Sequence, residues 1–316
     1  MLGIKEVNGN VIIDDTLFDV KEWKARYSGP AYGMPSALGL DMHTVSVTAE
    51  GDQPKIAIDP PNDAVKVSMN PSGKADIRQI DDLTYEVTGA KLDAAGVHKR
   101  FSLADPGLYA GGTMLTLLRK KGIAVKGTVK RGALRPGTSE IAHVGSRDID
   151  SYVRDTNQHS LNVAADNLLF LLGALKYGSP GTKEKGSQAV SEFLGASGID
   201  PAMLVVDDGS GVSEMNRVSA EQMVSFLRTA AKQPWFKPFL ASLSRPGMDG
   251  RLQDFGYRSD RMRLKSGQVR DAYCLAGYVE KSSGGTIAFA FLVNGMEANT
   301  PAAGSAAVEV LKQLEQ

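Results

Sequence analysis

The hydrophobic periodicity of the chain changes near Gly145, and this change most constrains the fold. Before it, short segments alternate apolar and polar residues, as strands with one buried face do. They are Asn10–Ile13, Thr44–Thr48, Lys55–Ile58, Ala64–Val67 and Tyr85–Gly89. Turn-forming clusters of Pro, Gly, Asn and Asp separate them. Residues 1–144 are therefore predicted to be rich in β-structure.

Helical spacing dominates the chain after Gly145, and one helix is also predicted before it. Asp105 and Pro106 have the residue types of an N-cap and a first helical position, and that helix is predicted to end at Gly122. Further helices are predicted at Ala164–Lys176, Lys185–Leu194, Ala220–Lys232 and Ala306–Leu314. The strands Ala272–Val279 and Thr286–Asn294 flank Ser282-Ser283-Gly284-Gly285, which predicts a hairpin. We predict an α/β (α+β) chain whose second domain is residues 145–316.

Composition excludes several classes of protein. The 36 basic and 36 acidic residues cancel, so bulk charge does not attract nucleic acid. No stretch of 18 apolar residues predicts a transmembrane segment. The first residues lack the apolar run of a signal peptide, so either the protein stays in the cytoplasm or a preceding piece is absent from the chain.

Motifs for metals and phosphates are absent from the sequence. It contains no His-Glu-x-x-His, Walker loop or cysteine pair, and its four histidines are scattered. The Gly-x-Ser-x-Gly motif of another class of serine hydrolase is absent as well. No metal or organic cofactor is expected.

Two triplets point to acyl transfer by a serine. Ser160-Leu161-Asn162 precedes the helix at Ala164, and Lys265-Ser266-Gly267 precedes the hairpin strand at Ala272. Serine β-lactamases and penicillin-binding proteins combine Ser-x-Asn and Lys-[Ser/Thr]-Gly with Ser-x-x-Lys. Each triplet alone is weak: Ser160 is also a plausible N-cap, and Lys265 a plausible solvated lysine. Their order and their places beside the predicted elements strengthen the interpretation.

The chemistry assigns each residue a role. On one wall of a cleft, the Ser160 hydroxyl would relay a proton and the Asn162 amide would bind the substrate's peptide carbonyl. On the other wall, Lys265 would supply positive charge for a terminal carboxylate, and the Ser266 hydroxyl would bind it.

Two further positions complete the second wall. Gly267 would leave room for an extended ligand along the strand edge. The backbone N–H of Gln268 would form half of an oxyanion hole.

The chain resembles the D-Ala-D-Ala carboxypeptidase/endopeptidase family of low-molecular-mass penicillin-binding proteins, peptidase family S13, of the penicillin-binding protein 4 type. The resemblance runs in order from Gly9. It rests on the two triplets and on Gly9–Phe18, Tyr27 with Pro35–Leu38, Asp105–Gly127, Asp208–Ser213 and Gly250–Leu252. It implies a transpeptidase-like domain with a mostly antiparallel sheet, residues 145–316, and a β-rich insertion, residues 1–144.

The sequence departs from the family pattern at the nucleophile. No Ser-x-x-Lys occurs, and the nearest form, Thr182–Lys185, is interpreted as a solvated polar turn. In the family the nucleophile precedes the region that resembles Gly9–Phe18. The nucleophile and its lysine are therefore expected outside this chain, which is expected to be inactive by itself.

A second departure concerns substrate side chains. Glu214 and Arg270 stand where the family often has Arg and Gln, while Asp14 stays acidic. The resemblance implicates these positions and Phe18 in binding the stem-peptide side chain, so the substrate preference is open.

The function that the resemblance implies is hydrolysis of a D-Ala-D-Ala bond or of cross-links in peptidoglycan, through a serine acyl-enzyme that also binds β-lactams. Peptidoglycan lies outside the cytoplasm, so a periplasmic or extracytoplasmic location is expected. One alternative is a non-catalytic peptidoglycan-binding remnant. Another is a serine β-lactamase, which the long insertion before Ser160 disfavours. The choice between carboxypeptidase and endopeptidase and the oligomeric state are open.

Overall fold

The computed structural model describes residues 3–26, 33–51, 55–89, 92, 96–202, 204–295 and 300–316. Two compact units make up the chain. The first unit is Met1–His143 with Phe170–Lys185, and the second unit is Val144–Leu169 with Gly186–Gln316. The predicted α/β class is confirmed. That residues 1–144 form an insertion domain stays a prediction.

The first unit carries ten short strands and two α-helices in its described part before residue 144. The strands are β1 (Glu6–Val7), β2 (Val11–Ile13), β3 (Thr44–Glu50), β4 (Lys55–Asp59), β5 (Lys66–Asn70), β6 (Asp76–Asp81), β7 (Thr84–Thr88), β8 (Val97–Ser102), β9 (Ala124–Val125) and β10 (Val129–Arg131), and the helices are α1 (Lys21–Arg26) and α2 (Pro106–Lys120). Antiparallel pairing places β3 between β4 and β8, while β7 pairs with β5 in parallel and with β6 in antiparallel. β1 pairs with β9, and β2 with β10, in parallel.

Alternation along β3 forms the core of this unit. Val45, Val47 and Ala49 are fully buried and pack with Tyr85 and Val87 of β7, while the residues between them are less buried. Burying each large apolar side chain contributes about 1.5–3 kcal/mol. Every second residue of β3 is therefore a core residue, as the alternation in the sequence predicts.

Most elements of the second unit follow the predicted order. They are α3 (Ile149–His159), α4 (Asn162–Tyr177, to Leu169 in this unit), α5 (Lys183–Ala196, from Gly186 in this unit), α6 (Ala220–Ala230), α7 (Phe236–Ser242), β11 (Met262–Gln268), β12 (Ala272–Glu280), β13 (Thr286–Asn294) and α8 (Thr300–Leu314). The three strands form one antiparallel sheet, with β11 at its edge and β12 in the centre. Among the described residues no helix is both long and apolar enough to span a bilayer.

Each face of this sheet packs on helices. Leu275 of β12 joins Ala307 and Leu311 of α8 in one apolar cluster. Tyr278 of β12 joins Leu227 of α6 and other residues in a second cluster, and its hydroxyl donates to the Leu227 carbonyl at 2.7 Å. The sheet is therefore held on both sides, which fixes the position of its edge strand.

Two local interpretations were wrong. Ser160 is not an N-cap: it is the C-cap of α3 in a left-handed conformation, φ 53° and ψ 55°, and α4 begins two residues later. Thr182–Lys185 is not a solvated turn, because α5 begins at Lys183 and the Thr182 hydroxyl accepts the Lys185 amide at 3.2 Å. The signal for α3 was Asp148, whose side chain accepts the Ser151 amide at 2.8 Å.

Candidate active site

The outer edge of β11 forms one side of the candidate site. Leu264 exchanges two backbone hydrogen bonds with Ser244, at 2.9 and 3.0 Å, on the side away from β12. In an antiparallel strand the backbone groups alternate between its two edges. The N–H groups of Ser266 and Gln268 therefore point to the same outer edge as that of Leu264, where an extended ligand can pair with them.

Ser160 reaches this strand from the junction of two helices. Its positive φ is uncommon for a residue with a Cβ, and it lets the chain turn from α3 into α4 within three residues. The Lys265 ammonium group donates to the Ser160 hydroxyl at 3.1 Å. The two triplets thus meet although 105 residues separate them in sequence.

Lys265 is a half-buried ammonium group. Its Nζ also donates to the Ser266 carbonyl at 2.6 Å, and it forms no ion pair with a carboxylate in the described part of the chain. Burial, and secondly the charge of Arg251, lower the pKa of Lys265. Arg251 is held nearby, since its Nε donates to the His159 carbonyl at the end of α3 at 3.3 Å. A cation without an anionic partner is suited to an incoming carboxylate.

A cavity of about 890 Å³ lies beside Lys265, within the second unit. Apolar side chains of α6, α7 and the sheet form much of its wall, with polar groups at β11 and on the loop 207–216. The lining residues are Asn157, Ser210, Gly211, Ser213, Glu214, Asn216, Arg217, Val218, Met223, Phe226, Leu227, Phe239, Leu243, Lys265, Ser266, Gly267, Gln268, Val269, Asp271, Ala272, Cys274, Ala276, Leu292 and Asn294. This volume and mixture are typical of a site for a small molecule or a peptide.

The loop 207–216 is organised by buried carboxylates, which sequence reasoning missed. Asp208 accepts the amides of Gly211 and Ser213, both at 2.6 Å, and the Asn216 side chain at 2.8 Å. Asp207 accepts the Ser213 hydroxyl. Both aspartates are buried, so their hydrogen bonds compensate for lost hydration. The Asp-Gly-Ser-Gly pattern was noticed only as part of the resemblance, and nothing in it indicated burial.

The structure brings most predicted residues of the second unit together. Ser266, Gly267, Gln268 and Glu214 line the cavity with Lys265. Asn162 is the first residue of α4, two positions after Ser160.

Arg270 is separate from this set. It is not among the cavity-lining residues, and no ion pair between Glu214 and Arg270 occurs in the portion that the structure describes. Glu214 therefore lines the cavity without that cation, and the roles of both residues in ligand binding stay predictions.

Asp14 and Phe18 belong to the first unit, so their approach to a substrate stays a prediction. Asp14 is exposed, and hydrogen bonds from the Thr16 hydroxyl, then from the Leu134 and Thr16 amides, lower its pKa. Phe18 packs on Phe170, with ring centroids 5.5 Å apart. Tyr27 lies outside the described residues.

The described residues contain no cluster of three or more His, Cys, Asp or Glu side chains arranged to hold a metal ion. The polar side chains that line the cavity carry hydroxyl, ammonium, guanidinium, amide and carboxylate groups. Such groups transfer protons, bind anions and orient carbonyls.

Comparisons with known proteins agree on one family. A sequence model of the D-Ala-D-Ala carboxypeptidase 3 (S13) family matches residues 1–314. A D-alanyl-D-alanine carboxypeptidase of Actinomadura sp. (strain R39) is 29% identical over 98% of this chain. The D-alanyl-D-alanine carboxypeptidase DacB of Haemophilus influenzae is 24% identical over 93% of it.

Solved structures show the same fold. The crystal structure of penicillin binding protein 4 (dacB) from Haemophilus influenzae has a TM-score of 0.78 and 21% identity, covering 99% of this chain and 76% of that one. The chain spans 63% of the Actinomadura relative and 66% of the Haemophilus one. Because the family match extends over nearly the whole sequence, the chain belongs to the D-Ala-D-Ala carboxypeptidase 3 (S13) family.

Proposed function

We propose that the cleft beside β11 serves a serine-type D-Ala-D-Ala carboxypeptidase or endopeptidase that acts on peptidoglycan stem peptides and binds β-lactams. The observation that carries this proposal is the 3.1 Å hydrogen bond from Lys265 to Ser160. It joins the Lys-Ser-Gly and Ser-x-Asn triplets beside a cavity, at the outer edge of β11. Family membership supports the same assignment.

The proposed ligand lies along the outer edge of β11. Its terminal carboxylate binds the ammonium group of Lys265 and the hydroxyl of Ser266. The N–H of Gln268, which points to that edge, donates to the scissile carbonyl oxygen as negative charge develops on it. Each such donor typically accelerates acyl transfer by about 10²–10³.

Proton transfer in this proposal runs through Ser160. Its hydroxyl already accepts a hydrogen bond from Lys265, so it is oriented to pass a proton to the leaving amine. The lowered pKa of Lys265 makes proton release from its ammonium group easier than from a solvated lysine. Asn162, two residues later in sequence, is proposed to bind the substrate's peptide carbonyl.

The attacking serine and its lysine are proposed to lie outside the printed residues. Ser-x-x-Lys is absent from the sequence, and neither Ser160 nor Ser266 has a lysine three positions on. The acyl-enzyme would form on that serine and then be released by water. We propose an extracytoplasmic location, where peptidoglycan is found.

The absence of Ser-x-x-Lys also favours a second candidate, a non-catalytic peptidoglycan-binding protein. Ligand recognition in that case uses the same strand edge and Lys265. The β-lactam complex solved for the Haemophilus penicillin binding protein 4 supports the catalytic candidate by analogy of fold.

The experiment for either candidate is ligand binding by variants of Lys265. A peptide ending in D-alanyl-D-alanine is titrated into the wild-type protein, Lys265→Ala and Lys232→Ala, where Lys232 is an exposed lysine of the same unit. Loss of a charge-assisted hydrogen bond costs about 1.5–3 kcal/mol. We expect affinity to fall about 10- to 100-fold in Lys265→Ala and to be unchanged in Lys232→Ala.

A peptide ending in L-alanyl-L-alanine is the ligand control and should bind more weakly than the D-form. If Lys265→Ala folds and binds the D-peptide as tightly as wild type does, the cleft assignment is wrong.

A further inference from the structure

Asp166 connects helix α4 to the loop 207–216. It lies one helical turn after Asn162 and has no solvent exposure. Its Oδ1 accepts the amides of Gly209 and Ser210, both at 2.9 Å. One carboxylate oxygen therefore holds the loop that contributes Ser210 and Glu214 to the cavity wall.

The loop backbone lies directly against the helix at this point. A Cβ built on Gly209 would lie 2.3 Å from the Ala165 carbonyl oxygen, which is closer than real Cβ atoms approach. Only glycine fits this position without displacement. The contact between α4 and the loop is therefore one of backbone on backbone, with the Asp166 carboxylate beside it.

The second oxygen of Asp166 has no hydrogen-bond partner among the described residues, although it is buried, and the same is true of the Ser210 hydroxyl. The hydroxyl is close enough to lower the pKa of Asp166 without forming a hydrogen bond of ordinary geometry. A buried ionised oxygen without a donor is costly, whereas a protonated one carries less charge to bury.

The surroundings of Asp166 disfavour its charge. Burial, and secondly the charge of Asp208, raise the pKa of Asp166 to about 7. The other charged residues of the region are Asp207 and Glu214 on the loop, Arg217 directly after it, Lys265 on β11 and Asp271. No ion pair joins any of these charged groups to Asp166 in the part of the chain that is described.

We propose that Asp166 is a positioning residue that holds the loop 207–216 against α4, and that this hold is firm while Asp166 is protonated and weaker once it carries its charge. The cavity wall formed by Ser210, Gly211, Ser213 and Glu214 follows the loop. The inference concerns the shape of the cleft and holds for either a catalytic or a binding function.

Proton linkage gives the size and sign of the effect. Opening of the loop admits water to Asp166, and its pKa then returns toward the ordinary value of 3.8. The closed state binds the proton more tightly, so its advantage falls by up to about tenfold per pH unit as pH rises from 3.8 to about 7. Above that range both states are ionised and the advantage is constant.

Hydrogen exchange of the two amides that Asp166 accepts tests this directly. Protection of the Gly209 and Ser210 N–H groups, corrected for intrinsic exchange rates, is measured by NMR at pH 5–8. We compare wild type, Asp166→Asn, which keeps the acceptor without the charge, and Asp166→Ala, which removes both. The N–H groups of Ser244 and Leu264, paired in β-structure, are the control.

In the wild type, protection of the loop amides should fall by up to about tenfold per pH unit between pH 5 and 7, while the control amides stay constant. Asp166→Asn should keep protection at every pH, and Asp166→Ala should lose it at every pH. The inference is overturned if wild-type protection does not change with pH, or if Asp166→Asn shows the wild-type pH profile. Should Asp166→Ala also lose protection at the control amides, the comparison of wild type with Asp166→Asn decides alone.

Discussion

At the scale of single residues, the sequence placed Ser160 and Lys265 on two walls of one cleft but did not predict a bond between them. The Lys265 ammonium group donates to the Ser160 hydroxyl at 3.1 Å, and the roles of both residues stay predictions. The left-handed conformation of Ser160 was not predictable, because glycine and asparagine are the usual residues there and serine more often begins a helix. The burial of Asp166 could not be predicted either, because the loop that packs on it follows some 40 residues later in the sequence.

The lowered pKa of Lys265 predicts how ligand binding depends on pH. A carboxylate ligand needs the charged ammonium group, so affinity for the D-Ala-D-Ala peptide should fall as pH rises through a value below the ordinary 10.5. Lys265→Arg keeps its charge throughout and should remove this alkaline loss, although its geometry weakens binding overall. Titrations at pH 7–11 measure this. Equal alkaline losses in both proteins would show that another group is responsible.

At the scale of elements, helix caps and turn residues in the sequence correctly predicted where some elements begin and end. The Asp105 cap with Pro106 begins α2, and the hairpin of β12 and β13 turns at the predicted residues. Helix α3 was missed because its sequence is mostly polar, and α7 because it is short and contains Pro238 in its first turn. The parallel pairing of β5 with β7 joins strands that are not neighbours in sequence, and no local pattern specifies it.

Glu315, the residue that follows α8, links this helix to the segment that precedes β11. Glu315 accepts the Ser259 hydroxyl at 2.6 Å, Arg261 Nε at 3.0 Å and the Tyr257 hydroxyl, all just before β11. Burial alone would raise the pKa of Glu315, but these hydrogen bonds and the Arg261 charge lower it. The stabilisation is therefore present above the ordinary value of 4.5 and is lost as pH falls through the lower pKa of the folded state.

Glu315→Gln should accordingly lower the free energy of unfolding at pH 7 by about 1.5–3 kcal/mol and reduce its loss below pH 4.5. Urea unfolding at pH 3–7 measures both effects. Glu309→Gln on α8 is the control, because the one ion pair of Glu309 among the described residues is with exposed Lys312, and such a pair should contribute about 0–1 kcal/mol. A variant as stable as wild type, with the same acid dependence, would show that this cluster does not hold α8 to the strand.

At the scale of the whole molecule, the family and the class of fold were predicted from motifs that follow the same order as in the S13 family. Both predictions are confirmed. The chain spans 63% of the Actinomadura carboxypeptidase, and the activity proposed above requires a nucleophilic serine that we propose to lie outside residues 1–316. Its own residues supply an ammonium group, a hydroxyl group that accepts a hydrogen bond from it, and a strand edge. What they lack is a serine with a lysine three positions on.

Covalent labelling by penicillin tests the central claim, that this cleft is the ligand-binding part of a serine D-Ala-D-Ala peptidase. The printed chain, and a version extended upstream from the gene, are incubated with labelled penicillin and analysed by intact mass and peptide mapping. We predict no adduct on the printed chain and one adduct per molecule on the extended protein, at a serine of Ser-x-x-Lys, diminished by Lys265→Ala. An adduct on Ser160 or Ser266 of the printed chain would show that the nucleophile is misassigned, and no adduct on either protein would contradict the enzyme and favour the binding protein.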